Sequence, residues 1–363
     1  MASVARTAAR PKVRSRRDGA AIPLDDADKR LMNLLQSRFP LAREPYALIA
    51  AEAELPVEDV MARTQRLLDE RIIREITPIF DTRALGYSSM LVAAKVDASN
   101  PHRAARIINE HPGVSHNYLR THEFNLWFTI ATPPDSELRL EGTLAVLQRL
   151  TGAESIRQLP TLRLFKINMN LEMEKGTEAL AASVDASPPR ELERQPYDER
   201  DVTVIRALQG PMEVTGRPYE AAAAEAGMAV EEFLGHLQGM VARKVLRRVA
   251  AILYHRRAGF AANGMGVWRV PEERILEVGS RMASVRGISH CYQRPTYPDW
   301  PYSVFTMAHG RSKQECDAIL NRIAEEHSLH GPDRATLYSS TEFKKVRLHY
   351  FTDDYAEWEE EHA

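Results

Sequence analysis

The chain has 363 residues, 44% of them hydrophobic, a formal net charge of -2 and two cysteines. That length predicts two domains or two multi-part halves, and the near-neutral charge offers no global attraction to nucleic acid. Cys291 and Cys316 are too few and too far apart for a disulfide framework, which points to a reducing, cytoplasmic setting, and no apolar run approaches the roughly 18 residues of a membrane span.

Residues 1–23 carry Arg6, Arg10, Lys12, Arg14, Arg16 and Arg17 without a following apolar stretch. They read as a disordered basic tail rather than a secretory signal. From 24 to 80 the pattern is that of a winged helix-turn-helix. Asp25 is a good N-cap ahead of Leu31, Leu34 and Leu35 on one helical face, Tyr46–Glu54 forms a second short helix, Val57–Arg71 a third, and Ile72–Pro78 a wing. From 81 to 174 the period changes. Ser88–Val96 is strand-like, Pro101–Glu110 helical, Gly113–Leu119 and Asn125–Ala131 alternate as paired strands, Glu137–Thr151 is helical, and Leu162–Asn168 is the expected closing strand. This β-α-β-β-α-β order predicts a ferredoxin-like sandwich. Residues 175–196, with Ala-Ala-Ser, Ser-Pro-Pro and mixed charges, read as a linker.

The same order then returns. Leu24–Asp97 aligns without a gap on Tyr197–Val270 at an offset of 173 residues, with Asp25 on Asp198, Asp28 on Asp201 and Pro45-Tyr46 on Pro218-Tyr219. Residues 197–253 form a second winged helix-turn-helix. Residues 254–352 form a second ferredoxin-like domain whose last strand is expected over Thr336–Tyr350, and 353–363 read as an acidic C-terminal tail. The fold class is therefore α+β, two tandem repeats of about 170 residues. A period this long is a duplicated domain and not a solenoid unit. A winged helix followed by a ferredoxin-like βαββαβ domain resembles the Lrp/AsnC architecture, in which the second domains pair. That resemblance implies that the two halves form an internal pseudo-dimer.

A helix-turn-helix ordinarily suggests DNA binding, but the third helices carry Glu58, Asp59, Glu231 and Glu232 at their starts. Acids there oppose the phosphate field, so the sequence argues against DNA binding. The chemistry concentrates instead in Gly113-Val-Ser-His-Asn-Tyr-Leu-Arg120 and Gly287-Ile-Ser-His-Cys-Tyr-Gln-Arg294. Strand alternation puts His116, Tyr118 and Arg120 on one face, and His290, Tyr292 and Arg294 on another. An imidazole that titrates near neutrality beside a guanidinium shaped for carboxylates suits an acidic ligand better than a solvated sheet face. His122 has no counterpart in the second half, and no further Cys or His stands at ligand spacing, so no metal site is expected and His122 counts among the ligand-binding candidates. Basic residues of the closing segments, Arg163 and Lys166 in one half and Lys344, Lys345 and Arg347 in the other, would add cations, as would Arg83 and Arg256-Arg257. Trp300, Tyr302 and Tyr297 in a Pro-rich loop are candidate aromatic walls, whereas Trp127 and Trp268 read as core.

His-Asn-Tyr-Leu-Arg-Thr-His-Glu-Phe-Asn-Leu-Trp-Phe at 116–128, His-Cys-Tyr-Gln-Arg-Pro-Thr-Tyr-Pro-Asp-Trp-Pro-Tyr at 290–302, Leu-Pro-Thr-Leu-Arg-Leu-Phe-Lys at 159–166 and Glu-Phe-Lys-Lys-Val-Arg at 342–347 resemble the paired subunits of the siroheme decarboxylase family. The resemblance spans about residues 24–353 and is that of a fusion, Nir D-like half first and Nir L-like half second, similar also to the Ahb A and B pair. It implies removal of carbon dioxide from the acetate side chains on ring carbons 12 and 18 of siroheme to give 12,18-didecarboxysiroheme, in d1-heme or alternative heme formation. It further implies no cofactor beyond the iron tetrapyrrole substrate, which acts as its own electron sink. His290, then His116, would be general acids, with ligation of the siroheme iron as the alternative. Arg120 and Arg294 would clamp retained carboxylates, and the second half would hold the working site, since the insertion Pro295–Trp300 breaks the symmetry. Partners implied are the tetrapyrrole, a further homo-oligomer or related Nir G/H subunits, and no membrane. The rival is a tetrapyrrole-responsive DNA-binding regulator of Lrp/AsnC type.

Overall fold

The computed structural model describes residues 24–167, 197–254 and 262–363. The basic tail, the whole linker and Arg256-Arg257 lie outside the described residues.

Each half opens with three helices and a wing: α1 (Asp26–Ser37), α2 (Pro45–Ala53), α3 (Val57–Asp69) and β1 (Ile73–Phe80) in the first. In the second half, with α6, α7, α8 and β7 in chain order, they are Glu199–Leu208, Tyr219–Glu225, Val230–Ala242 and Leu246–Leu253. Asp25 and Asp198 close capping boxes with Asp28 and Asp201, satisfying N–H groups that the first turn leaves unpaired. The two modules do not stand alone. Their wings pair antiparallel, Ile76 opposite Ala251 and Pro78 opposite Val249. Leu31, Leu35, Tyr46, Ile205, Tyr219 and Phe233 share one core. Where the pseudo-twofold axis passes, equivalent positions meet with complementary charge: Glu44 accepts from Arg217 at 3.0 Å. Two copies of the same half would set like charges against each other there, so divergence favours the unlike pairing.

The ferredoxin-like part of the first half is β2 (Ser88–Lys95), α4 (Pro101–Glu110), β3 (Val114–Arg120), β4 (Leu126–Thr132), α5 (Arg139–Thr151) and β5 (Ser155–Leu159). That of the second is β8 (Ala262–Trp268), α9 (Ile275–Ser284), β9 (Ile288–Gln293), β10 (Val304–Gly310), α10 (Lys313–His327) and β11 (Arg334–Leu337). The closing strands are therefore β5 and β11, not the segments expected from sequence. Within those expected segments, Arg163–Ile167 and Ser339–Lys345 serve a different purpose. β6 (Arg163–Ile167) crosses to pair with β9, and β12 (Ser339–Lys345), split from β11 at Tyr338, crosses to pair with β3. The sheets run β12-β3-β4-β2-β5 and β11-β8-β10-β9-β6, so each half supplies the edge strand of the other. Alternation alone cannot reveal this, because a strand has the same pattern whichever sheet it joins.

Each sheet carries its helices on one face, over Val92, Leu126 and Phe128 in one half and Trp268, Val304 and Ile288 in the other. The bare faces meet through Ala93, Trp127, Met265, Val267 and Phe305. Residues 354–362 are not a tail. They form α11 (Asp354–His362), which lays Trp358 on His111 with ring centroids 4.5 Å apart and on the first half's core.

Strand exchange yields a direct prediction. Phe165 is fully buried among second-half residues and lies against Gly279 of α9. Phe165→Ala, a change in the first repeat, should destabilise the second-repeat sheet by about 3–5 kcal/mol. Denaturant unfolding followed by hydrogen exchange of β9 amides measures it; loss of protection confined to the first half's own sheet would contradict the exchange.

Candidate active site between the sheets

Register decides which way the repeated motif faces. Tyr118 stands opposite Trp127 and His116 opposite Thr129; Tyr292 stands opposite Phe305 and His290 opposite Met307. Trp127 and Phe305 belong to the interface between sheets, so both His-x-Tyr-x-Arg rows face it. Within each row the groups touch: His116 and Tyr118 ring centroids are 6.2 Å apart, His290 and Tyr292 5.9 Å. The Arg120 guanidinium lies 5.8 Å from the Tyr118 centroid, that of Arg294 4.9 Å from Tyr292.

Each guanidinium also reaches the opposite half. Arg120 donates to the Leu337 carbonyl at 3.3 Å, and Arg294 donates to the Leu159 carbonyl. These acceptors are the last residues of β11 and β5, so the arginines pin each closing strand to the facing sheet. None of their hydrogen-bond acceptors among the described residues is a carboxylate, and the Nε of each is buried without a partner. Burial pushes both down to about 10, yet both remain cationic at neutral pH. A buried cation without an anion is costly, and an entering carboxylate would relieve that cost.

Burial and neighbouring cations favour the neutral form of both imidazoles. Burial lowers His116 to about 4, helped by Lys345 and Arg74, and lowers His290 to about 4, helped by His309 and Lys166. In both, a preceding serine meets Nδ1: Ser115 Oγ at 3.0 Å and Ser289 Oγ at 2.6 Å. An imidazolium acid is therefore not preformed; anionic ligand groups arriving beside the ring would raise it.

The remaining candidates divide. Lys345 stands in register with His116, and Arg74 of the wing donates to the Lys345 carbonyl at 3.2 Å. Sequence reasoning overlooked Arg74, which has no motif of its own. His309 was also missed; it faces the same side from β10 and shares Ser289 with His290. Lys344 and Lys166 do not join the rows. They pair in register with Asn117 and Cys291 on the helix side, where Lys344 donates to the Asn109 and His111 carbonyls at 2.7 and 3.3 Å. Arg347 is held by Glu75 at 3.1 Å and by the Gln209 carbonyl at 2.8 Å, which makes it a wing-junction group. Arg163 lies opposite Gln293 and is likewise off the rows.

The aromatic loop is the clearest correction. Trp300 is fully buried and packs on Trp127 at 5.2 Å and His122 at 5.3 Å, plugging the centre of the interface instead of walling an open hollow. Tyr302 packs on Trp300 at 5.0 Å. Tyr297 donates to the Gln158 carbonyl at 2.7 Å, and Asp299 holds Arg157 and Ser155 at 2.8 and 3.1 Å. The insertion that distinguishes the halves is thus a latch onto β5. His122 turns its Nδ1 to the Phe124 amide at 3.1 Å and packs in the same plug. With the centre filled, ligand space lies to the flanks. A cleft of about 820 Å³ opens beside Arg294, lined by Leu162, Arg269, Arg274, Gln293, Pro295 and Ser303 among others.

Asp198, Asp201 and His236 converge as metal ligands would. Arg243 already holds Asp201 at 2.5 Å, and in the first half Arg63 occupies the position of His236 and bonds Asp25 and Asp28. The cluster is an ion-paired helix cap.

Comparison with known proteins agrees with this architecture. Residues 84–166 and 257–344 match the AsnC-like ligand binding domain, and 28–74 match the siroheme decarboxylase NirDL-like HTH domain. The chain is 38% identical over 329 residues to a siroheme decarboxylase of Hydrogenobacter thermophilus, covering 91% of this chain and 96% of that one. A siroheme decarboxylase beta subunit of Methanosarcina barkeri is 39% identical over 153 residues, covering 42% of this chain and 99% of its own. A crystal structure of the siroheme decarboxylase NirDL superposes with a TM-score of 0.73 at 34% identity over 93% of this chain and 98% of that one; a second, with a TM-score of 0.73, holds an iron-uroporphyrin III analogue.

The histidine shifts set a pH dependence. A folded-state value lowered below the usual 6.5 means that the unfolded state binds more protons between about pH 6.5 and 4. Stability is therefore fully present above 6.5 and falls as pH drops through that window, by up to ~1.4 kcal/mol per pH unit for each buried histidine. His116→Gln and His290→Gln should each flatten the fall, read from denaturation midpoints between pH 7 and 4.

Proposed function

The chain belongs to the siroheme decarboxylase family, and we propose that it removes carbon dioxide from the acetate arms on ring carbons 12 and 18 of siroheme, using the two inward-facing rows. The observation that carries this reading is the pair of buried guanidiniums, Arg120 and Arg294, that lack carboxylate partners among the described residues and face one interface with neutral imidazoles. An octacarboxylate such as siroheme supplies the missing anions.

The chemistry consumes one proton per acetate. The bond between the methylene and its carboxylate breaks, carbon dioxide leaves, and the electron pair passes into the adjacent pyrrole. A proton then reaches the methylene, which becomes a methyl group. No oxidant enters. The macrocycle accepts the electrons, so the protein supplies binding, orientation and a proton. Arg120, Arg294, Arg74 and Lys345 suit carboxylates that remain, while the departing one gains by standing against apolar surface, where losing its charge is favourable. His290 and His116 are the proton donors, brought toward protonation by the anionic arms themselves.

The helix-turn-helix modules are read as a clamp. Arg63 and Arg66 are held by Asp28 at 2.9 and 2.5 Å, and Arg43 by Glu220 and Glu231 of the second module, which supports a structural use over DNA binding. Separate alpha and beta siroheme decarboxylase subunits among the relatives support reading this chain as their fusion.

Anaerobic incubation with siroheme, followed by mass spectrometry, should show loss of one and then two carbon dioxide units. Binding of siroheme without any mass loss would remove the enzyme reading in favour of a tetrapyrrole-binding regulator. Arg120→Met and Arg294→Met should weaken siroheme binding at least ~10-fold, about 1.4 kcal/mol, in an absorbance titration; unchanged affinity for both would detach the guanidiniums from the ligand.

A further inference from the structure

We propose that His309 is a positioning residue that, through Ser289, holds the His290 proton on Nε2, and that this makes the second-half imidazole the one that delivers protons to the substrate. The inference rests on the decarboxylase reading and deepens it.

Ser289 Oγ lies 2.6 Å from His290 Nδ1 and 2.6 Å from His309 Nε2. A serine hydroxyl has one proton and can donate to only one of them. If His309 Nε2–H donates to the oxygen, the serine proton goes to His290 Nδ1. The His290 proton is then confined to Nε2, which has no protein partner among the described residues. The bond made by one imidazole nitrogen sets the state of the other. The opposite arrangement would leave Nε2 without its proton and unable to serve as a donor.

The first half tests the idea internally. Its Ser115–His116 pair is the same dipeptide, with a looser contact of 3.0 Å. The equivalent of His309 is identified by backbone geometry: His309 N–H donates to the Gly287 carbonyl at 2.9 Å, and Ala131 N–H donates to the Gly113 carbonyl at 2.9 Å. Gly113 and Gly287 are equivalent repeat positions. An alanine therefore stands where the second half has a histidine, and nothing at that position orders the Ser115 hydroxyl. The groups around His290 are His309 from β10, Lys166 from β6 and Ser289 from its own strand. When the ligand's carboxylates draw a proton to the ring, the serine proton moves onto His290 Nδ1 and the His309 Nε2 proton moves onto Ser289, with water resupplying His309; the imidazolium so formed gives its Nε2 proton to the methylene and is left as neutral imidazole.

The test uses the full chain with Ser289→Ala, His309→Leu and His309→Gln. Ser289→Ala and His309→Leu should each lower kcat for carbon dioxide release by roughly 10–100-fold while KM and siroheme affinity stay within about two-fold. The double variant should be no slower than the worse single one, because both cut one chain. His309→Gln, which keeps an N–H donor, should recover most of kcat. A substrate-free arm runs in parallel: nitrogen-15 shifts of His290, assigned with His290→Gln, should show one tautomer in the unaltered protein and a mixture in Ser289→Ala and His309→Leu. Wild-type kcat in both single variants, or an unchanged tautomer ratio, overturns the proposal while leaving the decarboxylase reading intact. Absence of turnover in the unaltered protein would count against that reading alone, since the tautomer measurement still decides the role of His309.

Discussion

The exchange of edge strands between the repeats is the constraint on which the rest depends. Because β6 completes the second sheet and β12 the first, neither sheet is whole without the other half. The exchange carries a stretch of backbone hydrogen bonds and, through Phe165 and Phe343, apolar side chains into the partner's core. It fixes the two bare faces against each other, and that in turn aims both motif rows into one interface.

Once the faces are locked, electrostatics follows from burial. Arg120 and Arg294 pin β11 and β5 through single carbonyls and stack on tyrosines, which leaves charge uncompensated. His116 and His290 respond to the same burial and to neighbouring cations by staying neutral. The free protein is thus set for anions: cations that want carboxylates beside imidazoles that carboxylates would charge. On the proposed reading, ligand entry and proton supply are coupled through one field.

Duplication made the two rows, and divergence has separated them. The latch formed by Tyr297, Asp299 and Trp300 exists only in the second repeat and grips the first. His309 stands where the first repeat has Ala131. The Glu44–Arg217 pair on the pseudo-axis makes the halves complementary where identical copies would clash. Fusion relieves the need to keep each half self-sufficient.

Much of this was legible in the chain. Internal repetition and period changes revealed the order of winged helices and ferredoxin-like domains, and strand alternation put His116, Tyr118 and Arg120 on one face, because these properties are local. The sequence by itself determined the repeats, the capping boxes at Asp25 and Asp198, and which side chains share a strand face. Tertiary structure alone decided that residues 163–167 and 339–345 serve the opposite sheet, that 354–362 is a docked helix, that Trp300 is a plug, that Lys344 and Arg347 are spent on carbonyls and Glu75, and that His309 meets Ser289. The physical reason is the same throughout: backbone periodicity is written over a few neighbouring residues, whereas pairing partner, burial and proton placement depend on groups that arrive from the other half of the chain.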